Sequence, residues 1–338
     1  MKTWKKAGVT ALAGSLVATS AFAGAMTVSG SANLTYTGNT GAQDTVAASD
    51  KNTGQDGNRW GMSKSVTFSG SGEMDNGWTV SVSNTLANGT TSAVGMTLDM
   101  GDAGSLNYEG GTSGRGIGKI ADMMPYADDG YDNGIDVDGS GTAGGVTGKV
   151  SGGGQGFHYS KAMDMIEIGV GYAPKGGAGN GPGAVSGTGG ASSVSAFIKI
   201  DPMDGLEIGF GTGETAAATA GDKSQTDDHT TAYISYVYGP LTVAYQQSEI
   251  DTYTSTQSDD ESTNWGVLYA VNDEMSINYV SHTNEDELTT VDEEVTGWGA
   301  SYTQGSMTFK AHRNKGTNIT NAASNTSEHT EIGVTFAF

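Results

Sequence analysis

The stretch "ADMMPYADDGYD", residues 121–132, sets Asp122, Asp128, Asp129 and Asp132 close together, with Met123, Met124, Pro125 and Tyr126 between them. Asp136 and Asp138 follow. Carboxylates crowded in this way attract cations and repel anions. The neighbouring "DNGIDVDGSGTAGG" contains the Asp136-x-Asp138-Gly139 core of a calcium loop. A helix-loop-helix calcium site would need an oxygen ligand at Gly134 and a glutamate at Gly145, so that site fails. Loosely bound divalent cations are the remaining metal chemistry, at these acids or at "NEDE" and "DEE" within 284–294. No ligand set can be named.

Other chemical signals lead nowhere. "GFGTGETAAATAG", residues 209–221, has the glycine spacing of a dinucleotide turn, but "GDKSQTDDHT" follows instead of an amphipathic helix. His158, His229, His282, His312 and His329 show no metal-ligand spacing. There is no cysteine, which excludes disulfides, thiolate metal sites and cysteine nucleophiles. No cofactor and no catalytic set is expected. The formal net charge of −22 excludes a nucleic-acid binder.

The elements that position these residues are strands. Ile332, Val334, Phe336 and Phe338 alternate with Glu331, Gly333, Thr335 and Ala337 at the chain end. The same period of two recurs in "MIEIGVGY", "LEIGFGTG", "LTVAYQQ" and "MSINYV". Seven short connections carry turn residues: "EMDNG" after about residue 72, 101–104, 161–164, 201–205, 239–240, 272–274 and 304–306. Eight longer, polar ones lie at about 38–58, 88–92, 111–153, 174–190, 214–228, 250–261, 284–293 and 314–327. Together they join sixteen strands in antiparallel order, in one domain from 24 to 338. Residues 1–23 read as a secretory signal peptide, with Lys2, Lys5 and Lys6, a short apolar stretch and "AFA" before Gly24.

An antiparallel sheet of this size could be a sandwich or a closed barrel. The polar phase here is Gly, Ser, Thr and Asn rather than Lys and Glu, and Trp60, Trp78, Tyr108, Tyr172, Trp298 and Tyr302 stand near strand ends. Lipid requires every backbone group to be paired and the sheet to close. Aromatics suit its two interfaces, and a charge at mid-bilayer costs about 2–4 kcal/mol. The expected fold is therefore all-β, a 16-stranded antiparallel transmembrane barrel with water inside. Lys64 shares an apolar phase near a strand start, where it can snorkel. The polar phase supplies the lumen wall: Glu109, Glu167, Glu207, Lys199, Lys310 and His312.

The terminal aromatic strand resembles the assembly signal of bacterial outer-membrane barrels. With "VSGSANLTYTG", "FSGSGEMDNGWTVSVS" and "MTLDMGDAGSLNYEG" before a long loop, the whole chain resembles a Gram-negative general porin of alphaproteobacterial type. The resemblance implies passive diffusion of small hydrophilic solutes and ions, a homotrimer in outer-membrane lipid, and delivery by the outer-membrane assembly machinery. It also implies that the loop after strand five, about 111–153, folds into the pore. The loop acids, Asp122, Asp128, Asp129 and Asp132, would then line a constriction. Such porins often face these acids with arginines and follow strand five with Gly-Arg-Gln. Here Arg115 comes several residues late in "YEGGTSGR", so a more negative lumen and cation preference are expected. The short second loop departs from the one that latches such trimers. Two rivals stay open: a plugged barrel acting as an adhesin or enzyme, and a soluble Gly-rich β-protein, for which no fixed repeat is found.

Overall fold

The computed structural model describes residues 26–41, 59–110, 115–127, 155–174, 192–216, 226–253, 259–321 and 323–338. The signal-peptide stretch and Asp128, Asp129 and Asp132 lie outside them.

Sixteen strands form one closed antiparallel barrel. The first eight are β1 (Thr27–Gly41), β2 (Trp60–Glu73), β3 (Thr79–Ala87), β4 (Thr90–Asp99), β5 (Ser105–Gly110), β6 (Gln155–Met163), β7 (Ile166–Ala173) and β8 (Ser193–Met203). The second eight are β9 (Leu206–Ala216), β10 (Thr226–Tyr238), β11 (Leu241–Asp251), β12 (Asp260–Ala270), β13 (Met275–Asp286), β14 (Glu293–Gln304), β15 (Met307–Thr317) and β16 (Thr326–Ala337). Each strand pairs with its chain neighbours, and β1 pairs with β16 from Ser31↔Ala337 to Gly41↔Ser327. Closure leaves no sheet edge, as a lipid environment demands.

The chain terminus completes the seam. Phe338 donates its N–H to the Gly30 carbonyl at 3.0 Å and accepts from the Gly30 N–H at 2.8 Å. A Cβ at Gly30 would come within 2.7 Å of the Ser65 carbonyl oxygen and 2.6 Å of the Phe338 ring, and the backbone oxygen cannot give way, so glycine fits there. Ile332, Phe336 and Phe338 are exposed on the outer face, and Val334 is partly covered. Apolar side chains dominate that face throughout, among them Val82, Met96, Val170, Phe210, Ile234 and Phe309. Rings gather there as pairs and rows, such as Trp265–Tyr279–Trp298 with centroids 5.2 and 4.7 Å apart.

Strand ends differ from the expectation. β9 runs to Ala216 and β10 starts at Thr226, where the loop was expected to span 214–228. β13 reaches Asp286, so Asn284 and Glu285 are strand residues. The second long link shrinks to Asn88–Gly89, both with positive φ (51° and 92°), a two-residue hairpin turn. The physical reason is common to all three. Beyond the lipid, the wall has water on both sides, so the apolar alternation fades while the backbone ladder continues. Lys64 lies near the start of β2, as expected. It lies five positions into β2, level with the low β3–β4 tip, where its N–H donates to Asn88 Oδ1 at 3.0 Å.

Candidate functional site: the segment inside the barrel

After β5 the described chain resumes at Arg115, makes a 3-10 turn over Gly116–Ile120, and continues to Ala127. This segment lies against the inner face of β6 to β14. The inner wall supplies its hydrogen bonds. Gly116 N–H donates to His158 Nδ1 at 3.1 Å, and Ile117 N–H to Ser195 Oγ at 3.2 Å. Gln246, wholly buried, donates from Nε2 to the Ile120 carbonyl at 2.7 Å and accepts from the Met123 N–H at 2.9 Å. Ala127 N–H donates to Asn278 Oδ1 at 2.9 Å. An irregular segment has no ladder of its own, so these side chains replace one.

Apolar contacts fix it at two places. Ile117 and Ile120 are fully buried with Phe197 and Tyr233, and Met123 packs on them. Met124 joins Ala244, Val280, Val295 and Ile319, with Tyr126 against this group. Ile319 belongs to the connection between β15 and β16, which also turns inward. Its neighbour Asn321 accepts the Glu293 N–H through Oδ1 at 3.0 Å.

Glycines on the inner phase make the room. A Cβ at Gly171 would meet Gly116 N at 2.6 Å, one at Gly156 would meet Arg115 Nε at 2.7 Å, and one at Gly211 would meet Ile117 Cγ1 at 2.8 Å. At Gly266 the neighbour is Pro125 Cδ, at 3.0 Å. The wall is recessed where the segment lies.

Asp122 stands on the exposed side of this segment and accepts from Tyr126 O–H at 3.1 Å. Lys119 is exposed one turn earlier, and nothing in the sequence pattern singled it out. Arg115 is buried at the start of the segment, not displayed on a strand. Glu167, Lys199 and Glu207 come together near the short-turn end of β7, β8 and β9. Lys199 Nζ lies 3.0 Å from Glu207 and 3.6 Å from Glu167, and Tyr233 O–H donates to Glu207 at 2.7 Å. Lys199 is thus sandwiched between acids and forms no basic wall. Lys310 and His312 stand apart from them on β15, where the His312 ring stacks on His329 at 5.2 Å. Glu109 belongs to β5, opposite Gly95 and Gly156; its side chain is outside the described part. Among the described residues no group of three or more His, Asp or Glu could hold a metal.

Gln246, Asn278, Ile117 and Ile120 are the anchors that sequence reasoning missed. A signal existed. Gln246 is a large polar group on an inner phase that otherwise carries Thr242, Ala244 and Ser248, and paired glycines at 169/171 and 209/211 mark a recess.

Comparison with solved structures gives the same architecture. A porin structure refined at 1.8 Å matches with a TM-score of 0.64 at 12% identity, covering 93% of this chain and all of that one. OmpT, an outer membrane protein of Vibrio cholerae, matches at 0.63 and 11%, covering 93% of this chain and 97% of its own. Salmonella typhi OmpF in complex with daunomycin matches at 0.62 and 11%, with the same coverage. No curated protein matches by sequence. The family model for Gram-negative porins matches residues 8–304. A closed barrel, apolar outside and polar within, in a chain that this model spans almost throughout, means that the protein belongs to the Gram-negative porin family, integral channels of the outer membrane for passive diffusion.

Proposed function

We propose that this channel passes small hydrophilic solutes with a preference for cations, and that the loop after β5 narrows it. One observation carries the reading: residues 115–127 are bonded to the inner wall at His158, Ser195, Gln246 and Asn278, inside an otherwise continuous cylinder. Asp122 faces the remaining space, and the loop acids Asp128, Asp129 and Asp132 extend the same chain.

Charge supports cation preference. The Glu167–Lys199–Glu207 group sums to one negative charge, and the whole chain to −22. At the long-loop end, Glu249, Glu261 and Glu285 stand directly opposite one another on β11, β12 and β13, on the outward phase of Tyr245, Trp265 and Tyr279, so they make the outer rim acidic and do not line the lumen. Like charges at such spacing repel, which counterions relieve. Water-filled mouths rich in carboxylates concentrate cations. Lys119 opposes this beside Asp122, so the preference is moderate rather than absolute. Residues 1–23 act as the export signal in this reading, Ile332 to Phe338 as the assembly signal, and three copies assemble in the outer membrane. Loop acids hold divalent ions only loosely.

The test is the reversal potential of purified protein in planar bilayers under a potassium chloride gradient. A potential of the sign set by potassium is expected. A chloride-set potential contradicts the charge argument.

A further inference from the structure

Every buried residue of the described chain lies on the inserted segment, on β6 to β16, or on the β15–β16 connection. None lies on β1 to β5. Among the described residues, the segment covers one side of the lumen and none lies over the other.

The bare side has a distinct chemistry. Inward positions of β1 to β4 between the rims are Ser, Thr, Asn, Gly and Ala, without a single Lys, Arg, Asp or Glu; Glu73 and Asp99 stand only at the turn ends. Hydrogen bonds run across neighbouring strands along this face. Ser31 and Ser65 hydroxyls are 3.0 Å apart, Thr67 and Thr85 hydroxyls are 2.8 Å apart, and Thr97 donates to Asn107. In a pair such as Ser31–Ser65 only one O–H is used between the partners, so a second donor and several lone pairs remain for solute or water.

Resting on the channel reading above, we propose that solutes travel along the inner face of β1 to β5. This hydroxyl face favours uncharged polyhydroxylated solutes, sugars and polyols. Such a solute exchanges bonds to water for bonds to hydroxyls that both donate and accept. With no fixed charge on β1 to β4 between the rims, and Glu109 of β5 only at the border, no single site there is deep enough to trap it, and transit needs binding that is weak and repeated. Charge selection is left to the acidic mouth and to Asp122. The covered side cannot serve where the segment lies on it: Gln246 there already holds the Ile120 carbonyl, the Met123 N–H and the Thr231 hydroxyl.

The chain has no cysteine, so one introduced thiol is unique. Ser83→Cys places it on the bare face. Ser262→Cys places it on β12, at a position with no exposure. A bulky thiosulfonate reagent added to single channels should cut the conductance of the Ser83 variant and leave the Ser262 variant unchanged. The opposite pattern, or no effect at Ser83, overturns the route. In liposome swelling, the Ser65→Ala, Thr67→Val, Ser83→Ala triple variant should slow entry of an uncharged pentose by about two- to tenfold, the worth of one ordinary hydrogen bond. Its potassium conductance should hold. Sugar and potassium fluxes falling together, or neither falling, defeats the hydroxyl claim. A silent wild-type protein would instead overturn the channel reading itself, and this proposal with it.

Discussion

The two sides of this barrel use one strand pattern for opposite ends. On β6 to β14, small inward residues are a recess: Gly156, Gly171, Gly211 and Gly266 are small because another piece of chain occupies the volume a side chain would need. On β1 to β5, small inward residues are a lining. A Cβ added at Gly95 would meet the Ser83 hydroxyl at 3.4 Å and the Tyr108 carbonyl oxygen at 3.9 Å, both ordinary contacts. The same letters, Gly and Ser alternating with Val and Ile, encode a packed interior on one side and a wet surface on the other. What separates them is the presence of Ile117, Ile120, Met124 and Ile319 as inserted apolar groups.

Substitutions can break or sharpen that contrast. The largest effect is expected at Gln246→Ala. It leaves the Met123 N–H and the Ile120 carbonyl buried without that partner, at about 1–3 kcal/mol for each such group. The segment should loosen, giving noisier and larger single-channel currents. Ile319→Ala comes next. Removing a fully buried side chain from the Met124 cluster should cost about 2–5 kcal/mol, read as a lower temperature for loss of heat-modified migration in detergent gels. Gly171→Ala forces a Cβ to within 2.6 Å of the Gly116 nitrogen, and overpacking of this kind costs about 1–3 kcal/mol. Gly95→Ala, its counterpart on the bare side, should change stability by no more than about 0.5 kcal/mol. If the two glycine variants melt alike, the division into a packed side and a lined side is wrong.

Much of this was legible beforehand. Period-two alternation through "LEIGFGTG" and "EIGVTFAF" required strands, and the choice of Gly, Ser and Thr over Lys and Glu on the polar phase pointed to a closed membrane barrel. Strand ends were not legible, since Asn284 and Glu285 extend a strand into water, where hydropathy no longer distinguishes ladder from loop. Nor was the site. A glutamine on an inward phase looks the same whether it meets water or holds a loop, and Gln246 does the second. The glycines of β7 and β9 were visible as a pattern, but Gly169 and Gly209 make way for the Phe197 and Tyr233 rings, whereas the cause of Gly171 and Gly211 lies some fifty to a hundred residues earlier in the chain, at Arg115 to Ile120. Such a pattern shows a recess but not what fills it. Lys119 was missed for a related reason: only the 3-10 turn shows that it shares the exposed side with Asp122.

The central claim is a water-filled cylinder narrowed from one side. It is tested most directly by comparing single-channel conductance of the purified protein with that of a variant lacking residues 116–127. The account predicts stable steps for the intact chain and distinctly larger ones after removal. Silence from both, or steps of equal size, would contradict it.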